Sequence, residues 1–321
     1  MDPSRPLSIG IFCALGASLC FSLNDVSIKF LSGDYPLHQI VFARAAVALT
    51  ITLIFIMPFE GGFAALRTRR PFLHAFRGLC VVVANSTFFA GIAVMPLADV
   101  TAIFFVAPLF ITALSVVILK EVVGLRRWTA VAIGLAGVII VVRPGGASFT
   151  SVAILPALAA LAYAGLQVMT RKMGLSERAS TMAIYIQLTF LFVSGGLGLA
   201  LGDGRYLVSA GDSGALQFFL RPWVWPDTED LWRMAFLGVL SACGGYLISQ
   251  AYRGSDAALI APFEYSSLIL SVCFGYLIWA EVPLMTTWLG IALIAGSGIF
   301  IAWRESQVGA KPVAKRVAGR R

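Results

Sequence analysis

Four ionisable side chains stand inside long apolar stretches of this 321-residue chain, namely Asp25, Arg44, Arg77 and Glu264. A charge at the centre of a membrane helix costs about 2.5–3.5 kcal/mol on insertion scales, so such residues usually face a partner or an interior cavity. They could bind a polar ligand, take up protons at the two carboxylates, or form static ion pairs between helices. We expect them to flank a cavity and to rearrange as it opens.

Polar and aromatic side chains accompany these charges at helical spacing. Tyr163 and Gln167, like Tyr246 and Gln250, are four residues apart and therefore share one helix face. Aromatic rings with a few placed polar groups are typical of a small-molecule pocket, although amides also join neighbouring membrane helices. The candidate residues for substrate binding or gating are Asn24, Asp25, Arg44, Arg77, Asn85, Tyr163, Gln167, Tyr185, Gln187, Tyr246, Gln250, Glu264 and Tyr265.

Enzymatic and metal chemistry lack a corresponding set of residues. His38 and His74 are the only histidines, and neither belongs to a metal-ligand spacing or a nucleophile motif. The five cysteines fall singly in apolar segments, which indicates small core residues rather than disulfides or a zinc site. We therefore expect no enzymatic activity, no metal and no cofactor.

The elements that must position these residues are membrane helices. The chain is 59% hydrophobic and 12% charged, about half the charged fraction of a soluble domain. This composition predicts an all-α polytopic membrane protein, because apolar runs of about 20 residues recur along the chain. The ten predicted spans are residues 8–31, 37–58, 72–94, 98–119, 127–143, 149–170, 179–201, 230–252, 256–280 and 284–303. Pro108 and Pro262 could bend the fourth and ninth spans.

The distribution of basic residues predicts the orientation. Most of the loop Lys and Arg residues fall on one side, and the other side carries only Lys29, Arg143, Arg205, Arg221 and Arg233. By the positive-inside rule both termini are cytoplasmic, in the inner membrane of a bacterial cell. The net charge of +8 therefore indicates membrane orientation, and we expect no nucleic-acid partner.

The chain repeats itself in sequence. "EVVGLRRW" at 121–128 and "EVPLMTTW" at 281–288 superpose at a shift of 160, whereas "SLNDVSIK" at 22–29 meets "GLQVMTRK" at 165–172 at a shift of 143. The long 202–229 loop absorbs the difference. The predicted units are residues 1–143 and 149–303, each with five helices, followed by a basic cytoplasmic tail at 304–321.

Two five-helix halves must lie in opposite orientations, because each crosses the membrane an odd number of times. Inverted repeats are typical of secondary transporters, whose site lies near the midplane between the halves. Chance similarity between apolar helices is the alternative. Glu121 and Glu281, repeated just before a following helix, are expected to stabilise helix ends rather than to bind substrate.

The charges, unlike the scaffold, are not repeated. Asn24 superposes on Gln167, but Asp25 meets Val168, Arg44 meets Gln187 and Glu264 meets Phe104. This asymmetry suits a cavity for an asymmetric polar molecule. Counting about 1.5 Å per helical residue puts Asp25 level with Arg44 in the outer half, and Arg77 level with Glu264 in the inner half. Ion pairs between the members of each set are therefore possible.

The fourth, fifth, ninth and tenth spans resemble a known family. The motif-bearing stretches are "FFVAPLFITALSVVILKEVVGLRRWTAVAIGLAGVIIV" at 104–141 and "APFEYSSLILSVCFGYLIWAEVPLMTTWLGIALIAGSGIFI" at 261–301. With ten spans and a glutamate after the fourth and ninth, the chain resembles the EamA-type members of the drug/metabolite transporter superfamily. The resemblance implies a substrate cavity that the two halves open alternately. Members of the superfamily move amino acids, nucleotide-like cofactors, vitamins and drugs.

The resulting prediction is a secondary transporter, since the sequence has no ATP-binding motif. The expected partners are the lipid bilayer and a small polar or aromatic metabolite such as riboflavin, S-adenosylmethionine or an amino acid, and a homodimer is possible. A small-solute channel and an efflux pump driven by proton exchange are the alternatives. The direction of transport and its coupling to protons stay open.

Overall fold

The chain folds into apolar helices joined mostly by short connections. The structure is a computed structural model. It describes residues 4–60, 62, 66–68, 70–120, 124–142, 151–173, 177, 179–211, 213–254 and 263–308, and these residues contain no strand. The α-helices are α1 (Ser4–Leu31), α2 (Leu37–Ile51), α3 (Pro71–Ile92), α4 (Leu97–Phe104), α5 (Ala107–Leu119), α6 (Leu125–Val142), α7 (Ile154–Met173), α8 (Ala179–Leu201), α9 (Gly214–Leu220), α10 (Thr228–Gly254), α11 (Ser266–Trp279) and α12 (Met285–Val308). A π-helical turn, Thr52–Ile56, extends α2.

Six helical segments in the described part of the chain are long and apolar enough to cross a membrane. They are Ile9–Leu31, Leu37–Ile56, Pro71–Ile92, Leu97–Leu119, Ser180–Leu201 and Thr228–Ile248. Shorter apolar helices cover Trp128–Val142, Ile154–Thr170, Ser266–Trp279 and Met285–Phe300. The expectation of an all-helical polytopic membrane protein is confirmed, while the count of ten crossings stays a prediction.

Most helix boundaries lie within a few residues of the predicted spans, and three differences affect the description of the fold. The fourth span is broken at Phe105 and Val106, and Pro108 lies in the first turn of α5, where its missing N–H group removes no helical hydrogen bond. The sixth helix begins at Ile154 rather than at residue 149, after a 3₁₀ turn. The last helix continues to Val308 instead of ending at residue 303. Pro262, the start of the predicted ninth span and the tail from residue 309 lie outside the described residues.

The helices pack in pairs around a central core. α1 packs along α10, α3 along α7, α6 along α12, and α2 contacts both α8 and α10. Ile28, Ile40 and Leu237 are fully buried between these helices. α6 and α12 approach closely because glycines face each other: a Cβ atom on Gly290 would stand 2.9 Å from the carbonyl oxygen of Gly137.

The ends of α5 and α11 have the same backbone geometry. Lys120 and Ala280 are the non-glycine residues with positive φ in the described chain, at 56° and 54°, and each follows the last turn of its helix. This left-handed conformation is a common way to end a helix, although glycine usually adopts it. The two residues lie 160 positions apart.

The segment between α8 and α10 packs on the α1–α2 connection. We call this end of the bundle the outer end, in accordance with the orientation predicted from the sequence. Arg221 donates hydrogen bonds to the carbonyl oxygens of Ser32 (2.6 Å) and Gly33 at the end of α1. Gln39 and Val224 exchange two hydrogen bonds, of 2.6 and 3.2 Å. The predicted long loop therefore contains α9 and is held against the first two helices.

Candidate functional site

A buried arginine in α2 contacts an amide in α3. Arg44 is 5% exposed, and its Nη2 donates to Asn85 Oδ1 at 2.9 Å. Both residues lie seven positions, about 10 Å, from the outer ends of their helices. The guanidinium carbon is 5.5 Å from the ring centroid of Phe89 and 5.0 Å from that of Phe190. Two aromatic faces and one amide therefore surround this cation.

Asp25, the carboxylate at the same depth as Arg44, does not form a direct ion pair with it. Asp25 is close enough to interact with Arg44 electrostatically, but no N···O distance of 4.0 Å or less joins these two described residues. Asp25 accepts instead from Asn24 Nδ2 at 3.5 Å, and Asn24 accepts from Ser241 at 3.3 Å. Equal depth does not bring Asp25 and Arg44 into contact, because α2 packs mainly against α8 and α10 rather than against α1.

Arg77, the inner arginine, likewise contacts a residue other than the carboxylate at its own depth. Arg77 Nε donates to Thr170 Oγ1 at 3.0 Å, and its Nη1 is buried without a hydrogen-bond partner in the described structure. Within the described residues no direct ion pair joins Arg77 to Glu264. Glu264 lies instead within electrostatic range of Tyr163 and Tyr265. The ion pair that equal depth made possible between Arg77 and Glu264 is therefore not formed in the described structure.

Aromatic rings fill the middle of the bundle where α3, α4 and α7 meet. The ring of Phe104 is 4.9 Å from Phe88 and 5.3 Å from Tyr163, centroid to centroid. Gln167 donates to the Tyr163 hydroxyl at 2.6 Å, and the ring of Tyr265 lies 5.1 Å from that of Phe105 at a tilt of 35°. Four of the candidate residues, Tyr163, Gln167, Glu264 and Tyr265, are thereby gathered around the break between α4 and α5.

A narrow inner cleft opens between α2, α8 and α10. Its lining includes the candidates Gln187, Tyr246 and Gln250, together with Thr52, Ser180, Ser241 and Gly245. Gln250 donates to the Tyr246 hydroxyl at 2.9 Å, and Gln187 Oε1 is buried without a hydrogen-bond partner in the described structure. Ser241, one of the lining residues, also donates to Asn24 of α1 at 3.3 Å.

A narrow outer cavity lies between α2, α3 and α8. Its polar lining consists of His38, Asn85, Ser86 and Ser194, and its apolar lining includes Phe190 and Phe219. The sequence interpretation included Asn85 but missed the other three polar residues. His38 was visible as a histidine near the outer interface, whereas no spacing marked the two serines.

Tyr185 lines neither cavity and contacts the inner end of the bundle instead. Its hydroxyl donates to the carbonyl oxygen of Leu66 at 3.0 Å, and its ring stacks on His74 at 4.5 Å. Nearby, Thr68 donates to Glu177 at 2.8 Å. Tyr185 thus joins helix α8 to the connection before α3 at the inner end.

Glu281 holds helix ends together, as expected for a structural carboxylate. It accepts from Lys29 Nζ and, at 3.0 Å, from the N–H group of Leu97, the first residue of α4. The stabilised helix start is therefore that of α4 and not that of the helix following Glu281 in sequence. Glu121, the repeated acid, lies outside the described residues.

Comparisons with known proteins identify the family. Residues 8–143 match the EamA-like transporter family. A riboflavin transporter from Rhizobium johnstonii is 30% identical over 97% of this chain and 96% of its own length. This chain belongs to the EamA-like transporter family. An S-adenosylmethionine uptake transporter from Rickettsia bellii is 27% identical to this EamA-like transporter over 97% and 99% of the two lengths. A crystal structure covering 96% of the chain, at 17% identity and a TM-score of 0.61, shares its fold.

Family membership confirms the general interpretation of the sequence. The EamA-like transporter is a multi-pass protein of the bacterial inner membrane, in the drug/metabolite transporter superfamily, and its substrate is a small molecule. The relatives bear the names of transporters and not of enzymes, in agreement with the expected absence of catalysis.

Proposed function

We propose that this EamA-like transporter imports a small heterocyclic metabolite with polar substituents, with riboflavin and S-adenosylmethionine as the first candidates. The observation that carries the proposal is its full-length similarity to a riboflavin transporter and to an S-adenosylmethionine uptake transporter. Both compounds join a planar ring system to a polar chain. The aromatic rings around Tyr163 suit the first part, and the amides and charges beside them suit the second.

Transport by alternating access between two inverted five-helix halves is the proposed mechanism. The left-handed helix ends at Lys120 and Ala280, 160 positions apart, support the repeat. The breaks at Phe105 and Tyr265 have the same offset and similar backbone angles. Helix packing supports it as well, since the α1–α10 pair corresponds to the α7–α3 pair when the halves are exchanged.

The two cavities give the strongest support for such a pseudo-symmetric arrangement. Val82, Asn85 and Ser86 line the outer cavity, and the residues 160 positions later line the inner cleft: Ala242, Gly245 and Tyr246. Inverted repeats place equivalent residues on opposite sides of the membrane midplane. We propose that the cavities are the outer and inner parts of one route, with both termini in the cytoplasm.

Uptake by purified protein in liposomes tests the function directly. Labelled riboflavin, S-adenosylmethionine, nucleosides and neutral amino acids would each be supplied with and without an imposed pH gradient. The expected result is saturable uptake of riboflavin or S-adenosylmethionine. Accumulation that responds to the gradient would indicate proton coupling, and uptake that stops at equal concentrations would indicate a uniporter.

The alternatives predict different behaviour in the same liposomes. A channel would give non-saturable flux and measurable conductance, and either would contradict alternating access. A proton-driven efflux pump would lower the internal concentration when the outside is acidic. Liposomes carrying the Glu264→Gln variant serve as a matched comparison, because the side chain keeps its size while losing its charge.

A further inference from the structure

The polar groups that line the outer cavity are arranged as hydrogen-bond donors. The amide oxygen of Asn85 is occupied, because it accepts from Arg44 Nη2 at 2.9 Å. The NH₂ group of Asn85 makes no hydrogen bond within the described residues, and it is the part of the amide that remains for the cavity. Asn85 therefore presents a donor there, at a depth set by its bond to Arg44.

Arg44 fixes the orientation of this amide from the side of α2. A guanidinium group has five N–H donors and no acceptor, so it can only hold the oxygen of Asn85 and leaves the NH₂ group on the other side of the amide. Arg44 itself is 5% exposed and lies beside the rings of Phe89 and Phe190 rather than in the lining of the outer cavity.

The remaining polar groups of the cavity agree with this character. His38 Nδ1 accepts from Trp223 Nε1, so in the neutral ring the proton lies on Nε2. This N–H group is buried and lies near the carbonyl oxygen of Phe219. The hydroxyl of Ser194 lines the same space and makes no hydrogen bond within the described chain. Acidic side chains are absent from the lining of this cavity.

We propose that the outer cavity binds the acceptor-bearing edge of the transported compound, a carbonyl or carboxylate oxygen, through the NH₂ group of Asn85, which Arg44 holds in place. The inference rests on the proposed function and assigns a chemical group to one part of the route. Riboflavin carries the acceptor as ring carbonyl groups, and S-adenosylmethionine carries it as a carboxylate. The cavity thus recognises chemistry that the two candidate substrates share.

Asn85→Asp separates this role from a purely structural one. The aspartate has the same shape and keeps an oxygen for Arg44, so a structural role predicts unchanged or tighter binding. If Asn85 donates to the ligand, the substitution places a negatively charged acceptor opposite the acceptor of the ligand, and affinity should fall by about tenfold or more. Dissociation constants for riboflavin, from quenching of flavin fluorescence, and for labelled S-adenosylmethionine would be measured with purified full-length protein.

Two further variants complete the experiment. Ser194→Ala removes one donor without changing a charge, and a several-fold loss of affinity is expected; it also carries the test if Asn85→Asp does not fold. Thr87→Val lies on the same helix, but its hydroxyl bonds to Val83 within α3, so binding should be unchanged. Unchanged affinity in both Asn85→Asp and Ser194→Ala would overturn the inference while leaving the transport function standing.

The two probes also distinguish the source of the acceptor. If a carboxylate is recognised, wild-type protein should bind decarboxylated S-adenosylmethionine about tenfold more weakly than the intact compound, and Asn85→Asp should abolish that difference. If ring carbonyl groups are recognised, the loss in Asn85→Asp should appear with riboflavin. Wild-type protein that binds neither compound would overturn the proposed substrates and the inference together.

Discussion

The Lys29–Glu281 ion pair should stabilise the protein measurably by holding three helix ends together. Lys29 Nζ contacts Glu281 and donates to the Met95 carbonyl oxygen at 3.2 Å, and it lies 4.7 Å from the centroid of the Trp279 ring. Glu281 also accepts from the N–H group of Leu97. One pair therefore connects α1, the start of α4 and the segment after α11.

The burial of the two side chains sets the expected magnitude. They are 12% and 21% exposed, so water screens the pair only in part. Removing one partner of a fully buried pair costs about 3–5 kcal/mol. Glu281→Gln keeps an oxygen for Leu97, and the site is not fully dry, so we expect a loss of about 1–3 kcal/mol in the free energy of unfolding.

A double-mutant cycle in detergent micelles measures the interaction. The free energies of unfolding of Glu281→Gln, Lys29→Met and the double variant would be determined by titration with a denaturing detergent. The double variant should lose less than the sum of the single losses, because the first substitution already removes the interaction. Arg205→Gln is the control: its partner is Asp203, both side chains are about half exposed or more, and no measurable loss is expected. Additive losses, or a loss in Glu281→Gln no larger than in the control, would refute the reasoning.

The other predictions concern the charge in the core, the helix contacts and the outer loop. Arg44→Gln should reduce uptake in liposomes at least tenfold while protein yield in the membrane stays normal, and normal uptake would remove Arg44 from the route. Gly290→Ala should lower the free energy of unfolding by about 1–3 kcal/mol, because the new Cβ meets the backbone of α6, whereas Gly296→Ala, with no atom within 4 Å, should not. Burial and the hydrogen bond to Asp230 raise the pKa of Tyr35, so its contribution is complete below pH 10 and is lost as the pH rises through the folded-state pKa. Tyr35→Phe should therefore be less stable than wild type at pH 8, with the difference shrinking in denaturation curves recorded at pH 11 and above.

The apolar runs in the sequence determined the helices well because hydrophobic length is the main requirement for crossing a bilayer. α8 has the predicted bounds, and α3 differs from its predicted span by one residue at the start and two at the end. The break in the fourth span was signalled only by Pro108, and the helix stops before that proline rather than bending at it. Helix α9 went unpredicted because its seven residues are too few for a periodic pattern.

The contacts of the charged residues could not be predicted from their depth. A residue count gives the level of a side chain in the membrane, but helix rotation and neighbour choice decide what it contacts. Arg44 lies seven residues from the start of α2, at the depth that the count gave, yet it bonds to Asn85 and not to Asp25. The outer cavity was missed for a related reason: His38, Ser86 and Ser194 come from three helices, and no spacing along the chain connects them.

The difference between the two halves is informative about selectivity. In the proposed repeat Arg44 corresponds to Gln187, and the pair occupies matching places, one beside the outer cavity and the other in the inner cleft. Arg44 offers donors alone, whereas Gln187 has a buried oxygen without a hydrogen-bond partner in the described structure. We propose that the outer half, with the Asn85 donor that Arg44 holds, favours an acceptor on the transported compound more strongly than the inner half does. In this proposal the positions that repeat form the scaffold, and the positions that differ between the halves determine which chemical groups are bound.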